Sequence, residues 1–303
     1  MKKIICVGEC SLNIVFGPDG QPSGSMPGGR IANAAAILAR TGLPVLMASE
    51  AAADPVGDMV VAFLRDAGAD ISAIDRFTGG RTPLNLFTED NSGVLALTRY
   101  EKYPDEDGFD IVWPRIEEGD ILVFGGFYAL DRRMRPKLSK FLEYAKEMKA
   151  VLVYLPGFLP EQEPRITRVM PAILENLELA DMVITRNDDL GLIFGIDEDK
   201  SCYNRHISFY CRSLINVDPS CGTIAYCGGK EFSTARIPDS FSRSLLWNAG
   251  AIAGVIEALV AAPFGAEGLD EPPASVREDF LRHALQAARR ATDGLSGSWR
   301  MCP

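Results

Sequence analysis

The sequence predicts an α/β protein in which helices cover both faces of a mostly parallel sheet. Short apolar runs typical of strands alternate with longer helical segments along most of the chain, which is the pattern of parallel strands joined by crossover helices. The length of 303 residues fits one large domain with a small addition, or two domains. Hydrophobic residues make up 47% and charged residues 24%, enough for an ordinary buried core.

The strands and helices of this pattern can be placed in chain order. Six apolar runs are predicted as strands of the main sheet: 3–8, 44–49, 120–126, 150–155, 181–186 and 223–227. Helical periodicity predicts helices over 30–41, 58–67, 132–149, 248–260 and 275–291, with a further helix between the strands at 150–155 and 181–186. Gly42 and Gly68 end the first two helices.

Two segments interrupt the alternation and predict a small β-lid. Residues 10–16 are strand-like and follow the first strand directly, and PLNLFTEDNSGVLALTRY (83–100) has two β-runs joined by a polar turn. We assign residues 10–17 and 83–103 to a lid on a single domain that spans 1–303. Lids exclude water over a site; the alternative is a plain hairpin at the edge of the sheet.

Charge and composition exclude several classes of protein. A net charge of −10 and a pI near 4.9 argue against nucleic acid or an anionic membrane as the main partner. Seven cysteines without a CxxC pair and only two histidines make a zinc site unfavourable and indicate reduced thiols in a cytoplasmic protein. The apolar run at the N-terminus is too short for a signal peptide, and the longest apolar stretch, 249–265, is too broken to cross a bilayer.

The segment PGGRIANAAAILARTG (27–42) contains the first candidate ligand contacts. Gly28 and Gly29 precede a helix, and paired glycines let a ligand approach the backbone closely. Asn33 lies in the first turn, and its amide both donates and accepts hydrogen bonds, as a ligand hydroxyl requires. Asn13, among apolar residues of the predicted lid, is a second candidate for binding a polyol. The alternatives are a tight turn for the glycines and a backbone-bonded strand residue for Asn13.

Two later segments carry weaker candidates. In RNDDLGLIFG (186–195), Asn187 is predicted as a helix N-cap with Asp188 and Asp189 in the first turn, and a Mg²⁺ role for these aspartates is the alternative. CGTIAYCGGKEFST (221–234) indicates a hairpin at Gly228 and, as a second interpretation, a nucleotide loop.

The segment LLWNAGAIAG (245–254) predicts an anion-binding turn that has no side chain able to transfer a proton. We expect Asn248 to cap a helix, which leaves backbone N–H groups of the following turn free to face an anion. No acid, histidine, lysine or hydroxyl lies within it.

Other well-known nucleotide and catalytic motifs do not occur in the sequence. The first strand is not followed by a dinucleotide fingerprint, and neither a Walker P-loop nor a G-x-S-x-G elbow is present.

Together these segments resemble the PfkB, or ribokinase-like, family of carbohydrate kinases. The resemblance is carried by PGGRIANAAAILARTG, by ADPVGDMVVAFLRDAGADIS (53–72), by the strand and Asn-led helix at ADMVITRND (180–188), and by NAGAIAG (248–254). It implies a three-layer α/β/α domain with a β-lid and ATP- and Mg²⁺-dependent phosphorylation of a sugar or related hydroxyl. It also implies a small sugar or polyol as partner, with pairing of two copies through the lid as an option.

The resemblance implies roles for particular residues. Gly28, Gly29 and Asn33 would line the sugar site, and Asn13 matches the family's early sugar-binding aspartate. The nucleotide would lie near Asn187 and Gly228. The backbone amides of Ala249, Gly250 and Ala251 would form the anion hole that holds charge developing on the transferred phosphoryl group.

Several positions depart from the family's pattern. The signature Gly-Ala-Gly-Asp, whose Asp is the base, is matched by residues 248–251, so that Ala251 takes the base position. The Glu of the Asn-x-x-Glu motif is matched by Leu190, and the Asp-Pro-Asn-like stretch reads Leu-Pro-Gly at 155–157. A lost general base typically costs about 10²–10⁴ in rate.

Two hypotheses about function follow. The first is a non-catalytic or impaired relative that binds a small polyol, with or without nucleotide, as a sensor or binding protein. The second is a working sugar kinase in which Asp239 acts as a substitute base and Asp188 or Asp189 replaces the missing Glu by a shift of register.

Overall fold

A large, mostly parallel sheet forms the middle of the protein, as the sequence predicts. The computed structural model describes residues 2–90, 95–104, 111–160, 162–196, 198–218, 220–236 and 245–294. Within these residues nine strands form one sheet in the order β13-β12-β11-β10-β9-β8-β1-β4-β5, parallel from β5 to β11 and antiparallel beyond. Its strands are β1 (Ile4–Val7), β4 (Val45–Ala52), β5 (Asp70–Phe77), β8 (Ile121–Gly125), β9 (Val151–Leu155), β10 (Met182–Arg186), β11 (Leu214–Asp218), β12 (Thr223–Gly228) and β13 (Glu231–Arg236).

Helices cover both faces of this sheet. The helices are α1 (Arg30–Arg40), α2 (Pro55–Asp66), α3 (Arg135–Glu147), α4 (Ile166–Leu179), α5 (Asn187–Phe194), the short α6 (Asp199–Cys202), α7 (Leu245–Ala261) and α8 (Ala274–Gly294). Side chains of a strand alternate between faces, and here Ile4 joins one buried cluster with α1, α2, α7 and α8, while Ile5 joins another with α3, α4 and α5. Two apolar cores on opposite faces of one sheet make a three-layer α/β/α structure.

A second, four-stranded sheet contains both segments that the sequence assigns to a lid. It has the order β3-β2-β6-β7 and is built from β2 (Ser11–Phe16), β3 (Pro22–Gly28), β6 (Arg81–Glu89) and β7 (Leu95–Lys102). β2 and β6 pair in parallel, and Asn13 lies opposite Asn85. Arg99 on β7 contacts Glu9, just after β1, so that the two sheets meet where the first strand ends. Pairing of two copies through this sheet stays a prediction.

The structure adds three strands that the sequence pattern does not predict. β3 is rich in Gly, Pro and Ser, residues more typical of turns, and it forms because it pairs with β2. β5 is the edge strand of the main sheet, and it mixes polar and apolar side chains because one of its sides is open to solvent. β11 has only five residues and lies between β10 and β12.

Helix ends also differ from the expectation. α2 begins at Pro55, three residues early, because the Asp54 carboxylate caps it by accepting a hydrogen bond from Gly57 N at 2.7 Å. The N-cap of α5 is Arg186 rather than Asn187, a difference of one residue. α7 spans Leu245–Ala261, so Asn248 lies inside the helix and is not its cap.

The described residues offer no helix long and apolar enough to cross a membrane. They contain six of the seven cysteines, all as free thiols, and Cys221 is the exposed one.

Candidate functional site

The strand order places a crevice at the carboxyl end of β1. From β1 the chain extends the sheet through β4 and β5 on one side and through β8 to β11 on the other. In open α/β sheets ligands bind outside the carboxyl ends of the strands at such a switch point. Gly125 and Gly126 have φ angles of 150° and 65° where β8 ends here, and a Cβ added at Gly157 would lie 2.9 Å from Gly126 Cα. The backbones of these two loops therefore touch at the base of the crevice.

The Gly28–Gly29 pair and Asn33 lie together at the entry to α1. Asn33 Nδ2 donates hydrogen bonds to Pro27 O at 2.9 Å and Gly29 O at 3.1 Å, which fixes the turn before the helix. Its Oδ1 is buried and accepts no hydrogen bond from the described residues. A buried acceptor without a partner is costly, so Asn33 offers an oxygen to a ligand hydroxyl.

Asn13 belongs to a polar network that the sequence analysis missed in part. Its Oδ1 accepts a hydrogen bond from Asn85 Nδ2 at 2.9 Å, and Asn85 Oδ1 accepts one from Arg99 Nη1 at 2.8 Å. Arg99 also forms a two-pronged pair with Glu9, at 3.0 and 2.6 Å. Burial opposes the charge of Arg99, but Glu9 and then Glu101 raise its pKa. The network holds β2, β6 and β7 on the end of β1.

These contacts follow from strand register, which the sequence alone does not give. Asn85 lies opposite Asn13 on one side and opposite Arg99 on the other, because β6 is between β2 and β7. Asn85 lies between Leu84 and Leu86, as Asn13 lies between Leu12 and Ile14, and this similarity was the available signal in the sequence. A Cβ added at Gly28 would lie 2.5 Å from Asn13 Oδ1, so the predicted polyol residues on both segments do lie side by side.

Glu50 is a further buried acid that sequence reasoning did not find. It lies on β4, is 3% exposed, and its Oε2 has no hydrogen-bond partner among the described residues. Burial raises the pKa of Glu50 to about 8; the Tyr128 hydroxyl lowers the pKa, and the nearby Glu9 carboxylate raises it further. Glu50 is therefore largely uncharged at neutral pH. The crevice therefore contains two different acids: Glu50 is neutral, and Glu9 is ion-paired with Arg99.

Arg30, the first residue of α1, crosses the crevice to reach Asp189 on α5. Its Nη1 lies 2.5 Å from Asp189 Oδ2, and its Nη2 lies 3.2 Å from Pro156 O after β9. Arg186 Nε approaches the same Oδ2 at 3.5 Å, an ion-pair distance without a well-formed hydrogen bond. Asp189 is 2% exposed. Both guanidinium groups therefore share one buried carboxylate. Nothing local in the sequence indicates this contact, because Arg30 and Asp189 are 159 positions apart.

The predicted metal ligands fit a cation poorly. Asp189 is occupied by Arg30 and Arg186, whereas the side chain of Asp188 is 66% exposed and 3.6 Å from Arg186 Nη2. In the part of the chain that the structure describes, no group of three or more His, Cys, Asp or Glu side chains is placed to hold a metal ion. Mg²⁺ is usually held by one or two carboxylates together with substrate phosphates, which leaves Asp188 as the available carboxylate on α5.

The predicted nucleotide residues, Asn187 and Gly228, lie on opposite edges of the sheet. β12 runs antiparallel to β11 with Cys227 opposite Leu214, so Gly228 lies at the amino ends of the parallel strands. Asn187 follows the last residue of β10 at the carboxyl edge, about 15 Å away at 3.3 Å per residue. The two residues cannot share one nucleotide site, because the last strands turn back. We correct the prediction accordingly: Gly228 closes the β12–β13 hairpin, the first of its two interpretations.

A different turn lies near Asn187. Asn216 on β11 donates from Nδ2 to Asn187 Oδ1 at 3.5 Å, and its own Oδ1 is buried without a partner in the described structure. At the end of β11, Asp218 Oδ1 accepts a hydrogen bond from Ser220 N at 2.9 Å, and Gly222 has a φ of 65°. This turn, rather than the one at Gly228, is on the edge where the crevice opens.

The segment predicted as an anion hole lies one turn inside α7. Only the first four N–H groups of a helix lack an intrahelical acceptor, and in a helix over Leu245–Ala261 those belong to residues 245–248. The amides of Ala249, Gly250 and Ala251 therefore face regular helix acceptors. Ala251 is fully buried in the larger core cluster. A hole at residues 249–251 would require the first turn of α7 to unwind, and the proposed base position points into the core.

No carboxylate on α7 faces this region. The one acidic residue of the helix, Glu257, accepts a hydrogen bond from Arg290 at 2.8 Å on the side toward α8. Asp239, the proposed substitute base, lies outside the described residues.

The fold and the crevice define a ribokinase-like α/β protein. The chain belongs to the pfkB family of carbohydrate kinases, whose family model matches residues 1–212. The resemblance seen in the sequence and the predicted fold class are thereby confirmed.

The individual relatives are distant. Fructokinase-1 of Oryza sativa subsp. japonica is 27% identical over 175 residues, 56% of this chain and 54% of the relative, so the chain spans about half the length of the curated relatives it matches. Vibrio cholerae O395 fructokinase, solved with fructose, ADP and calcium ion, has a TM-score of 0.78 at 16% identity, covering 96% of this chain and 93% of that one. Salmonella enterica aminoimidazole riboside kinase, complexed with aminoimidazole riboside and an ATP analogue, has a TM-score of 0.77 at 13% identity, covering 96% and 94%. At these identities the solved structures show the fold alone.

The turn at Gly29 gives a stability prediction. Gly29 has a φ of 89°, and a Cβ there would lie 2.2 Å from Glu9 O. We expect Gly29→Ala to lower the free energy of unfolding by about 2 kcal/mol, from backbone strain and a clash with an immobile carbonyl. Gly42→Ala is the matched control, because Gly42 has a φ of 84° beyond the other end of α1 with no atom within 4 Å of its Cβ position. Urea unfolding should give about 1 kcal/mol for the control, and equal losses would contradict the clash.

Proposed function

We propose that this protein uses its pfkB-family fold to bind a small sugar or polyol, and that its phosphoryl-transfer activity is impaired or absent. In this role it acts as a sensor or binding protein. The polyol lies against Gly28, Gly29 and Asn33, next to the network of Asn13 and Asn85. The unpartnered Asn33 Oδ1 supports this placement, because a ligand hydroxyl supplies the missing hydrogen bond.

The observation that carries the proposal is the lack of a proton acceptor in the first three turns of α7. The twelve residues LLWNAGAIAGVI, 245–256, include no side chain that can take a proton from an alcohol near neutral pH. This holds whichever residue of the first three turns is aligned with the family's base, so it does not depend on the match to Ala251. Leu190, in place of the family's Glu, is 1% exposed and packs in the second core cluster.

For a nucleotide and Mg²⁺, the proposal goes no further than naming the residues that would contact them. The two solved structures named above contain ADP or an ATP analogue, and in this protein ATP would supply the phosphoryl group. Asn187, Asn216 and the turn ending at Gly222 are the residues of this chain that would contact the nucleotide, and Asp188 is the one exposed carboxylate on α5. The buried Asp189 already has cationic partners and does not fit a metal ion.

A sugar-panel turnover assay tests the proposal. Purified protein with ATP and Mg²⁺ is expected to show turnover about 10²–10⁴ below that of an active sugar kinase, the usual cost of a lost general base. Calorimetric titration of the same sugars is expected to show binding without added nucleotide. Turnover at ordinary kinase rates, about 1–100 s⁻¹, would overturn the proposal that phosphoryl transfer is impaired.

The second candidate function is an active sugar kinase with Asp239 as substitute base. It is supported by the kinase family to which the chain belongs and by the position of Asp239 in the sequence just before α7. If the panel gives turnover, Asp239→Asn should lower kcat by at least about 10²-fold with little change in KM. An unchanged kcat would remove Asp239 from that role.

A further inference from the structure

Two arginines meet over one buried carboxylate in the crevice. We infer that Arg30 and Arg186 form an oxyanion-binding site, and that the polyol bound by this protein carries a phosphate or carboxylate group. The inference rests on the proposed function, because it names the chemical class of the ligand in the same crevice. It differs from the anion hole predicted on α7, which uses backbone amides of another element.

The charges around Asp189 do not balance inside the protein. Asp189 accepts two contacts from Arg30, at 2.5 and 3.4 Å, and one from Arg186 at 3.5 Å, while its side chain is only 3% exposed. Asp188, the other carboxylate near Arg186, is 66% exposed and is therefore strongly screened by water. One positive charge remains poorly compensated in a partly buried place.

The state of Arg186 supports this charge count. Its Nε is buried and donates no well-formed hydrogen bond within the described structure. Burial lowers the pKa of Arg186, and the nearby Arg30 guanidinium lowers it further, while the two aspartates raise it. A partly buried guanidinium whose Nε has no well-formed hydrogen bond, and which is repelled by a second guanidinium, is stabilised by an incoming oxyanion.

The two arginines lie close to the residues proposed to bind the polyol. Arg30 follows Gly29 directly in the chain, and a Cβ added at Gly157 would lie 2.6 Å from Arg30 Nη2, so the guanidinium lies over the loop that follows β9. The side chains of Arg30 and Arg186 are 25% and 30% exposed, which leaves both accessible to solvent. A single small molecule can therefore place its hydroxyls near Asn33 and its oxyanion at Arg30.

The experiment compares matched neutral and anionic ligands by calorimetry in the presence of EDTA. Suitable sets are glucose, gluconate and glucose 6-phosphate, and fructose with fructose 6-phosphate; inorganic phosphate alone shows how much the oxyanion binds without a polyol. We expect the anionic member of a set to bind at least about 10-fold more tightly than the neutral one, since hydrogen bonds to charged groups are the strong ones. Comparison of gluconate with glucose 6-phosphate distinguishes a carboxylate ligand from a phosphate ligand.

Variants separate recognition from a purely structural ion pair. Arg30→Gln is expected to weaken binding of the anionic ligand about 10- to 100-fold and to remove its advantage over the neutral sugar. Asp189→Asn is expected to strengthen anion binding, because it frees both guanidinium groups from their competing carboxylate. A structural ion pair predicts the same sign for both substitutions. Arg40→Gln, at the exposed far end of α1, is the control and should change nothing. If Asp189→Asn fails to fold, Arg186→Gln is measured instead and should weaken anion binding.

The outcomes distinguish this inference from the proposed function. Equal affinity for neutral and anionic sugars, or anion binding insensitive to Arg30, would overturn the oxyanion site and leave polyol binding intact. Anion binding that disappears in EDTA would also overturn it, since a metal ion would then supply the charge. If no member of the panel binds, both the oxyanion site and the proposed polyol binding are overturned.

Discussion

Replacing Ala251 by aspartate is expected to destabilise the protein by about 4 kcal/mol or more rather than to restore kinase activity. The methyl group of Ala251 is fully buried in the core cluster shared by α1, α7 and α8. Packing around it is tight, since a Cβ added at the neighbouring Gly250 would lie 2.7 Å from Ala288 Cα. A carboxylate placed there has neither water nor a partner, and burying an unpaired charge is among the most costly single changes.

Urea unfolding with Ala261→Asp as the matched control measures this effect. Ala261 is the last residue of the same helix and is exposed, so the same substitution there should cost no more than about 1 kcal/mol, mainly from the helix dipole. The opposite result would be informative. If Ala251→Asp folds with wild-type stability and raises turnover on the sugar panel, residue 251 faces the crevice and the first turn of α7 is not wound in solution.

The sequence was sufficient for the fold because apolar periodicity reports burial directly. β1, β8 and β9 are short apolar strands, and α1 combines an apolar face with Gly at both ends; local chemistry alone determines such elements. β3 shows the limit of this reasoning. Its Gly, Pro and Ser residues favour a turn, and pairing with β2 provides the strand conformation that local preference does not.

The candidate site was only partly predictable because its contacts are made across elements. Gly28, Gly29 and Asn33 could be proposed as one group because they are close in the chain and lie at a helix entry. Arg30 stood between them and was passed over, because its partner Asp189 is 159 residues away and nothing local marks an ion pair. Gly228 failed for a topological reason: the sequence does not say that β12 runs antiparallel, and that direction moves its end to the other edge of the sheet.

Glu50→Gln is expected to stabilise the protein strongly at pH 8 and much less, by about 1 kcal/mol, at pH 5. The pKa of Glu50 is raised to about 8 in the folded protein, by burial first and then by Glu9 and Asp131, against the opposing effects of Tyr128 and Arg133. An unfolded glutamate ionises near 4.3. The folded state therefore holds the proton more tightly, and the wild type keeps its full stability below the unfolded pKa and loses stability as pH rises toward 8.

The size of this loss follows from the shift. Each pKa unit corresponds to 1.36 kcal/mol, so a shift of more than three units amounts to about 4 kcal/mol between pH 4 and 8. Glutamine is nearly isosteric and never ionises, so the difference in unfolding free energy between variant and wild type should grow in favour of the variant across that range. Other groups that titrate, such as Asp181 with a pKa raised to about 6 by burial, are common to both proteins and cancel in the difference.

Urea unfolding at pH 5, 6.5 and 8 tests this sign, with Glu143→Gln, exposed on α3, as the control that should show no pH-dependent difference. A constant difference for Glu50→Gln would mean that Glu50 is ionised in the folded protein, and therefore that a cation or water reaches it. The same titration bears on the crevice, because a ligand hydroxyl that hydrogen-bonds Glu50 would change the slope when it binds. A slope that changes with saturating polyol would place the ligand against β4 as well as α1, whereas an unchanged slope would confine it to the side of Asn33 and Arg30.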